Sequence, residues 1–147
     1  MTKDGQNSMT GKRTATERHM VVPTLSAIMV LVAGCQSSGP GSFAYKTDKR
    51  ALKAMEQVAL AARECWFRSD DKDFRPYRMS PELNSFSGRP RILVVSKRDP
   101  NGRPLAVIEA HGDPATVDAY GPLLEQPVGN RIKSDIQRWT GDSSSCA

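Results

Sequence analysis

The stretch RILVVSKRDPNGRPLAVIEAHG, from Arg91 to Gly112, decides the fold class of this chain. It places two β-branched runs, RILVVSK and PLAVIEA, on either side of the polar sequence RDPNGR. In that sequence Pro100 suits the first central position of a turn, and Gly102 tolerates a positive φ. The stretch therefore predicts an antiparallel β-hairpin.

The segment before the hairpin predicts a third strand. Phe74, Tyr77 and Met79 recur at short spacing in FRPYRMSPELNSF. Pro76 and Pro81 cannot donate to a strand ladder, which favours a position at the edge of the sheet.

A helix is predicted further upstream, from about Asp48 to Trp66. Its apolar positions follow three- and four-residue spacing: Leu52, Met55, Ala59, Ala62 and Trp66. This period is that of an amphipathic helix, and Asp48 or Thr47 would serve as the N-cap.

The C-terminal part also has helical character. In GDPATVDAYG, Asp113 is a candidate N-cap, Pro114 a first helical residue and Gly121 a stop, which predicts a short helix. A second helix before Gly141 is predicted by an apolar stripe: Val128, Ile132, Ile136 and Trp139. The expected fold is α+β, with an N-terminal helix, a small three-stranded antiparallel sheet and C-terminal helices covering one of its faces.

Length and charge limit the function classes. The 147 residues suit one domain with an appendage, and the formal net charge is +5. The first 34 residues hold four of the 21 basic and two of the 16 acidic side chains, which leaves 17 and 14, or +3, from Cys35 onward. Nucleic-acid binding is not expected, because it calls for clustered Lys and Arg with aromatic residues between them.

The N-terminus has the organisation of an export signal. A polar and basic region is followed by a mostly apolar run from Val21 to Ala33. Thirteen helical residues would span about 20 Å, whereas a bilayer needs roughly 20 apolar residues, so a permanent transmembrane helix is not expected.

The apolar run ends in the tetrad VAGC, Val32 to Cys35. This tetrad resembles the lipobox of bacterial lipoprotein signal peptides, whose commonest form begins with Leu. The resemblance implies cleavage between Gly34 and Cys35 and a thioether between Cys35 and a diacylglycerol. A hydrophobic helix with an incidental cysteine is the alternative, and either Met1 or Met9 could be the start.

The residues after Cys35 extend this interpretation. Gln36 in place of aspartate implies, by the same resemblance, the outer membrane, and we expect its periplasmic face. The tract QSSGPGS is rich in residues that resist ordering. The expected organisation is a signal peptide at residues 1–34, a flexible tether at 35–46 and a periplasmic domain at 47–147.

Two cysteines remain in the domain, Cys65 and Cys146. An oxidising periplasm favours a disulfide between them, and two free thiols or a link to a partner are the alternatives. A metal site is not expected, because the cysteines are far apart in sequence and no CxxC motif accompanies them.

Catalytic chemistry is not indicated. His111 lies beside Glu109 and Asp113, but the sequence offers no nucleophile signature such as GxSxG. The acidic residues Asp70, Asp71 and Asp73 lack the other ligand positions of an EF-hand loop. We therefore expect no enzymatic activity, metal or cofactor.

Basic residues concentrate around the predicted hairpin: Arg89, Arg91, Lys97, Arg98 and Arg103. They could form a basic edge that meets lipid headgroups, lipopolysaccharide phosphates or peptidoglycan carboxylates. Alternatively, their charge protects a sheet edge from aggregation.

The segment AYGPLLEQPVGNRI, residues 119–132, contains apolar residues interrupted by Pro and Gly. It cannot be regular helix throughout. It either packs its apolar side chains on the sheet or exposes them to a partner.

These observations predict a lipid-anchored, non-enzymatic envelope lipoprotein that contacts other envelope components in assembly or integrity. The alternative is a periplasmic inhibitor or ligand-binding module. An exposed apolar patch would favour the first, a deep pocket the second, and a pocket converging on His111 an enzyme.

Overall fold

The computed structural model describes residues 41–146. The predicted signal peptide, its cleavage site at Gly34 and the lipidation site Cys35 lie outside these residues. The elements are, in chain order, β1 Ser42–Lys46, α1 Ala51–Ala62, a π-helical segment Arg63–Arg68, β2 Tyr77–Glu82, β3 Arg91–Ser96, β4 Ala106–Gly112, β5 Ala115–Tyr120, a 3-10 segment Pro122–Glu125 and α2 Pro127–Thr140.

The strands form one antiparallel sheet in the order β1-β5-β4-β3-β2. The predicted hairpin is β3 and β4, with Ile92 opposite Ile108. The third predicted strand is β2, which lies at an edge as its prolines indicated. The α+β class is therefore confirmed, whereas the prediction of three strands is wrong, because the sheet has five.

The first additional strand, β1, lies where the sequence predicted a tether. Residues 42–46 pair with β5, so that Phe43 is opposite Ala119 and Tyr45 is opposite Val117. The two aromatic residues alternate with small and charged ones, which is the pattern of a strand with one face buried. The tether assigned to 35–46 therefore extends too far, and the first element of the domain is a strand and not a helix.

The second additional strand, β5, corrects the predicted short helix that began at Asp113. Asp113 and Pro114 form a two-residue connection between β4 and β5, and Gly112 before them has φ of +88°. After this turn Ala115, Val117 and Ala119 are buried, and the residues between them are partly exposed. A period of two suits a strand, so these residues pair with β4.

The predicted first helix is present, but it begins later than expected. Its N-cap is Arg50, which makes no side-chain capping hydrogen bond. The Thr47 hydroxyl instead donates to the carbonyl of Thr140 at 2.9 Å and so joins the start of α1 to the end of α2. The chain remains helical to Arg68 through the π-helical segment.

Both helices pack on one face of the sheet, which we name the covered face. Four alanines on β4 and β5 line this face and allow close approach of helix α1: Ala106, Ala110, Ala115 and Ala119. The largest side chains of the core form an aromatic cluster. Trp66 stacks on Phe74 with ring centroids 4.6 Å apart, and the ring centroids of Trp66 and Trp139 are 4.9 Å apart. The opposite face carries no helix within residues 41–146, and we name it the open face.

Candidate functional site

The predicted disulfide joins Cys65 to Cys146. It connects the π-helical segment to the tail after α2, across 81 sequence positions. Cys65 is buried beside Trp66 of the aromatic cluster. The bond therefore closes most of the domain into one loop.

A buried carboxylate contacts Trp66, the residue after Cys65, and is not among the sites predicted from the sequence. Asp135 on α2 is 0% exposed. Its Oδ2 accepts hydrogen bonds of 2.7 Å from the Trp66 indole and from Arg131, and its Oδ1 accepts one from Arg138. The sequence signal was an acid within the apolar stripe with arginines four residues before and three residues after it. The arrangement satisfies the buried charge and gives it a structural role.

The open face carries a row of charged residues across the strands. Arg91 Nε donates to Glu82 Oε2 at 2.6 Å, and Arg89 Nη1 donates to Glu109 Oε1 at 3.1 Å. The hydrogen bond with Glu82 raises the pKa of Arg91. Both arginines are therefore already paired with carboxylates.

His111 lies at the margin of this row. Its Nδ1 is 3.0 Å from Asp118 Oδ2, and its side chain is about half exposed. At the other end of the β4–β5 pair, opposite Val107, burial and then the negative charge of Glu109 raise the pKa of Tyr120. His111 lines neither of the two cavities described below.

The structure separates the five basic residues that the sequence grouped together. Arg89 and Arg91 lie where β3 begins, whereas Lys97, Arg98 and Arg103 belong to the connection after β3 ends. We name residues 97–103 the basic loop. Its three cations are exposed, and none takes part in an ion pair within residues 41–146.

A groove of about 610 Å³ runs between α1 and β2. Leu60 and Arg63 line it from the helix, and Met79 and Leu83 line it from the strand side. Leu60 is 63% exposed, and Phe86 in the following loop is fully exposed. A second cavity, of about 540 Å³, lies against residues 81–85. No sequence pattern indicates this groove, because α1 and β2 become neighbours only through the tertiary fold.

The acidic residues at 70–73 have structural contacts. Asp70 pairs with Arg75 at 3.0 Å, and Asp71 pairs with Arg131 at 3.4 Å. Within residues 41–146 no group of His, Cys, Asp and Glu is arranged to hold a metal ion. The same part of the chain contains no helix with the length and apolar character needed to cross a bilayer.

The segment at 119–132 divides between several elements. Tyr120 ends β5 with 41% of its surface exposed, whereas Leu123 in the 3-10 segment is buried. Val128 and Ile132 belong to the start of α2, and Ile132 is buried in the core. Most of the apolar side chains in this segment therefore pack inward, as one of the two interpretations expected.

Comparisons of this chain with protein-family models, curated proteins and solved structures gave no match.

Proposed function

We propose that this protein is a lipid-anchored lipoprotein of the bacterial outer membrane whose domain faces the periplasm and contacts other envelope components. The observation that carries the proposal is the tetrad VAGC at residues 32–35, at the end of an apolar run that follows a basic region. The first strand of the domain starts at Ser42, seven positions after Cys35. Seven positions would hold the folded domain within about 25 Å of an acylated cysteine.

The role we propose is binding and not catalysis. His111 lies on the open face against Asp118 and lines neither of the two cavities described above. Exposed apolar side chains, Leu60 on α1 and Phe86 after β2, support contact with a further envelope protein. Lipopolysaccharide and peptidoglycan remain candidate partners for the exposed cations.

The groove between α1 and β2 favours a second candidate, a periplasmic ligand-binding or inhibitory module. Its volume of about 610 Å³ is within the range of small-molecule sites, and its lining is mostly apolar. Leu60→Glu would place a charge in the groove. Loss of ligand capture with an unchanged fold would favour this second function.

The first experiment is the intact mass of the protein isolated from bacterial membranes, with the Cys35→Ala variant as control. We expect a mass equal to residues 35–147 plus acyl chains, with two thiols accessible to alkylation only after reduction. Cys35→Ala should leave the membrane fraction and carry no acyl mass. An unacylated chain that keeps its N-terminus would refute the proposal.

A further inference from the structure

We propose that the end of the sheet where the tether enters faces the membrane, and that the basic loop there binds the anionic headgroups of phospholipids. The inference rests on the proposed function, because it needs Cys35 to be acylated. It goes further by assigning an orientation to the domain and a ligand to Lys97, Arg98 and Arg103.

Topology places the basic loop and the tether at the same end of the sheet. Ser42, which begins β1, is opposite Tyr120, which ends β5. Tyr120 is in turn opposite Val107 near the start of β4, and the basic loop leads into that strand from β3. Three strand spacings separate β1 from β3, which is about 14 Å. The cations therefore leave the sheet close to the point where the chain comes from its anchor.

The length of the tether restricts how far this end can move from the bilayer. Seven positions from Cys35 to Ser42 span at most about 25 Å, whatever their conformation. A domain of this size has a radius of gyration of about 13 Å, which corresponds to a diameter of about 34 Å for a compact sphere. This diameter exceeds the reach of the tether. Ser42 therefore stays within about 25 Å of the membrane surface, while the opposite end of the sheet can lie a further strand length, roughly 20 Å, away.

The two ends differ in how closely their unpaired cations are clustered. At the far end Arg89 is held by Glu109 and Arg91 by Glu82, while Lys46 and Arg50 are exposed and belong to no ion pair within residues 41–146. At the tether end, the three cations of the basic loop have no ion-pair partner within residues 41–146, and Asp99 is the one acidic residue among them. Cations near an anionic leaflet are attracted to it, and tethering raises their effective concentration there.

An aromatic residue at the same end fits this surface. Tyr120 is 41% exposed and lies on the open face, opposite Ser42. Tyrosine side chains are enriched at membrane interfaces because they combine an apolar ring with a polar hydroxyl. Tyr120 and the basic loop thus supply the two kinds of side chain that bind a headgroup layer.

The test is amide hydrogen exchange of the lipidated protein in vesicles. One preparation contains phosphatidylcholine alone, and the other contains phosphatidylcholine and phosphatidylglycerol in equal amounts. We expect phosphatidylglycerol to slow exchange at residues 97–103 by about threefold or more, and not at residues 84–90 at the far end. High salt should remove the protection, because it screens exposed charges.

Two triple variants that remove equal charge distinguish binding by the basic loop from a general effect of the protein's net charge. Lys97→Gln, Arg98→Gln and Arg103→Gln together should abolish the protection. Lys46→Gln, Arg50→Gln and Lys133→Gln remove the same charge from other exposed positions and should preserve it.

Several outcomes would overturn the inference: equal protection in both vesicle types, protection at residues 84–90 instead, equal loss in both triple variants, or the same protection from inorganic phosphate with phosphatidylcholine alone. Absence of acyl mass on Cys35 would instead refute the proposed function. The two failures are therefore distinguishable.

Discussion

The covered and open faces of the sheet use the same pair of groups, carboxylate and guanidinium, for different purposes. On the covered side Asp135 is fully buried and accepts hydrogen bonds from Trp66, Arg131 and Arg138. On the open face the pair of Arg91 and Glu82 is partly exposed to water. Removal of a buried carboxylate from its partners destabilises a fold strongly, whereas removal of a partly exposed one changes the stability little. Burial, and not the number of ion pairs, therefore decides how much each of these charges contributes to the stability of the fold.

The stability of the covered side should depend most strongly on the disulfide between Cys65 and Cys146. Removing the disulfide with Cys65→Ala and Cys146→Ser releases a loop of 81 positions. The free energy of unfolding should fall by about 4.5 kcal/mol in the chain-entropy model. Urea unfolding of the oxidised protein and the double variant measures this difference.

A reductant provides the control for that measurement. It should destabilise the native protein to the same extent and leave the double variant unchanged. A loss below about 1 kcal/mol would mean that the aromatic cluster alone holds the tail and the π-helical segment in place.

The second prediction tests the comparison of carboxylates directly. Asp135→Ala leaves two arginines and a buried indole N–H without their acceptor, so the free energy of unfolding should fall by about 3 kcal/mol or more. Asp118→Ala, on the open face, removes one partly exposed partner of His111 and should cost less than about 1 kcal/mol. Equal effects of the two variants in urea unfolding would contradict the distinction between the faces.

The third prediction compares apolar contacts in the two helices. Ile136 on α2 is fully buried, whereas Leu60 on α1 lines the open groove. Ile136→Ala should lower the free energy of unfolding by about 2–3 kcal/mol through lost contacts and a cavity. Leu60→Ala should change it by about 0.5 kcal/mol or less. A large loss for Leu60→Ala in thermal unfolding would show that the groove is part of the core and not a binding surface.

Sequence patterns predicted the parts of the fold that depend on local signals. The hairpin of β3 and β4, the edge strand β2, α1 and α2 all follow from period and turn chemistry. β5 was missed because Asp113 and Pro114 begin a helix as readily as they fill a hairpin turn, although Ala115, Val117 and Ala119 alternate. β1 was missed because five residues after a Ser/Gly tract give too short a pattern.

The candidate sites show a similar limit. Two cysteines allow one internal pairing, so the disulfide could be predicted. The basic residues could be found by composition, but only the strand register separates Arg89 and Arg91 from the basic loop. The partners of Asp135 come from Trp66, which is 69 positions away, as well as from its own helix. Such long-range contacts are properties of the fold and leave a weak trace in the sequence.

The smallest expected effect concerns two tyrosines on opposite faces of the sheet. Burial raises the pKa of both Tyr45 on the covered face and Tyr120 on the open face, and the charge of Glu109 adds to the increase for Tyr120 alone. Glu109→Gln should therefore lower the pKa of Tyr120 towards 10 and leave that of Tyr45 unchanged. Tyrosinate absorbance in an alkaline titration measures both values, once Tyr45→Phe and Tyr120→Phe have assigned them.

The direction of the accompanying stability change follows from the raised pKa. The folded state favours the neutral phenol, so its contribution is fully present below the unfolded pKa of about 10 and is lost as the pH rises through the higher folded value. Glu56→Gln on α1 is the control, since Glu56 is not among the charges that shift Tyr120. If Glu56→Gln lowered the pKa of Tyr120 as much as Glu109→Gln, the effect would come from net charge. Glu109 would then have no specific local effect on Tyr120, and the two faces would differ in packing alone.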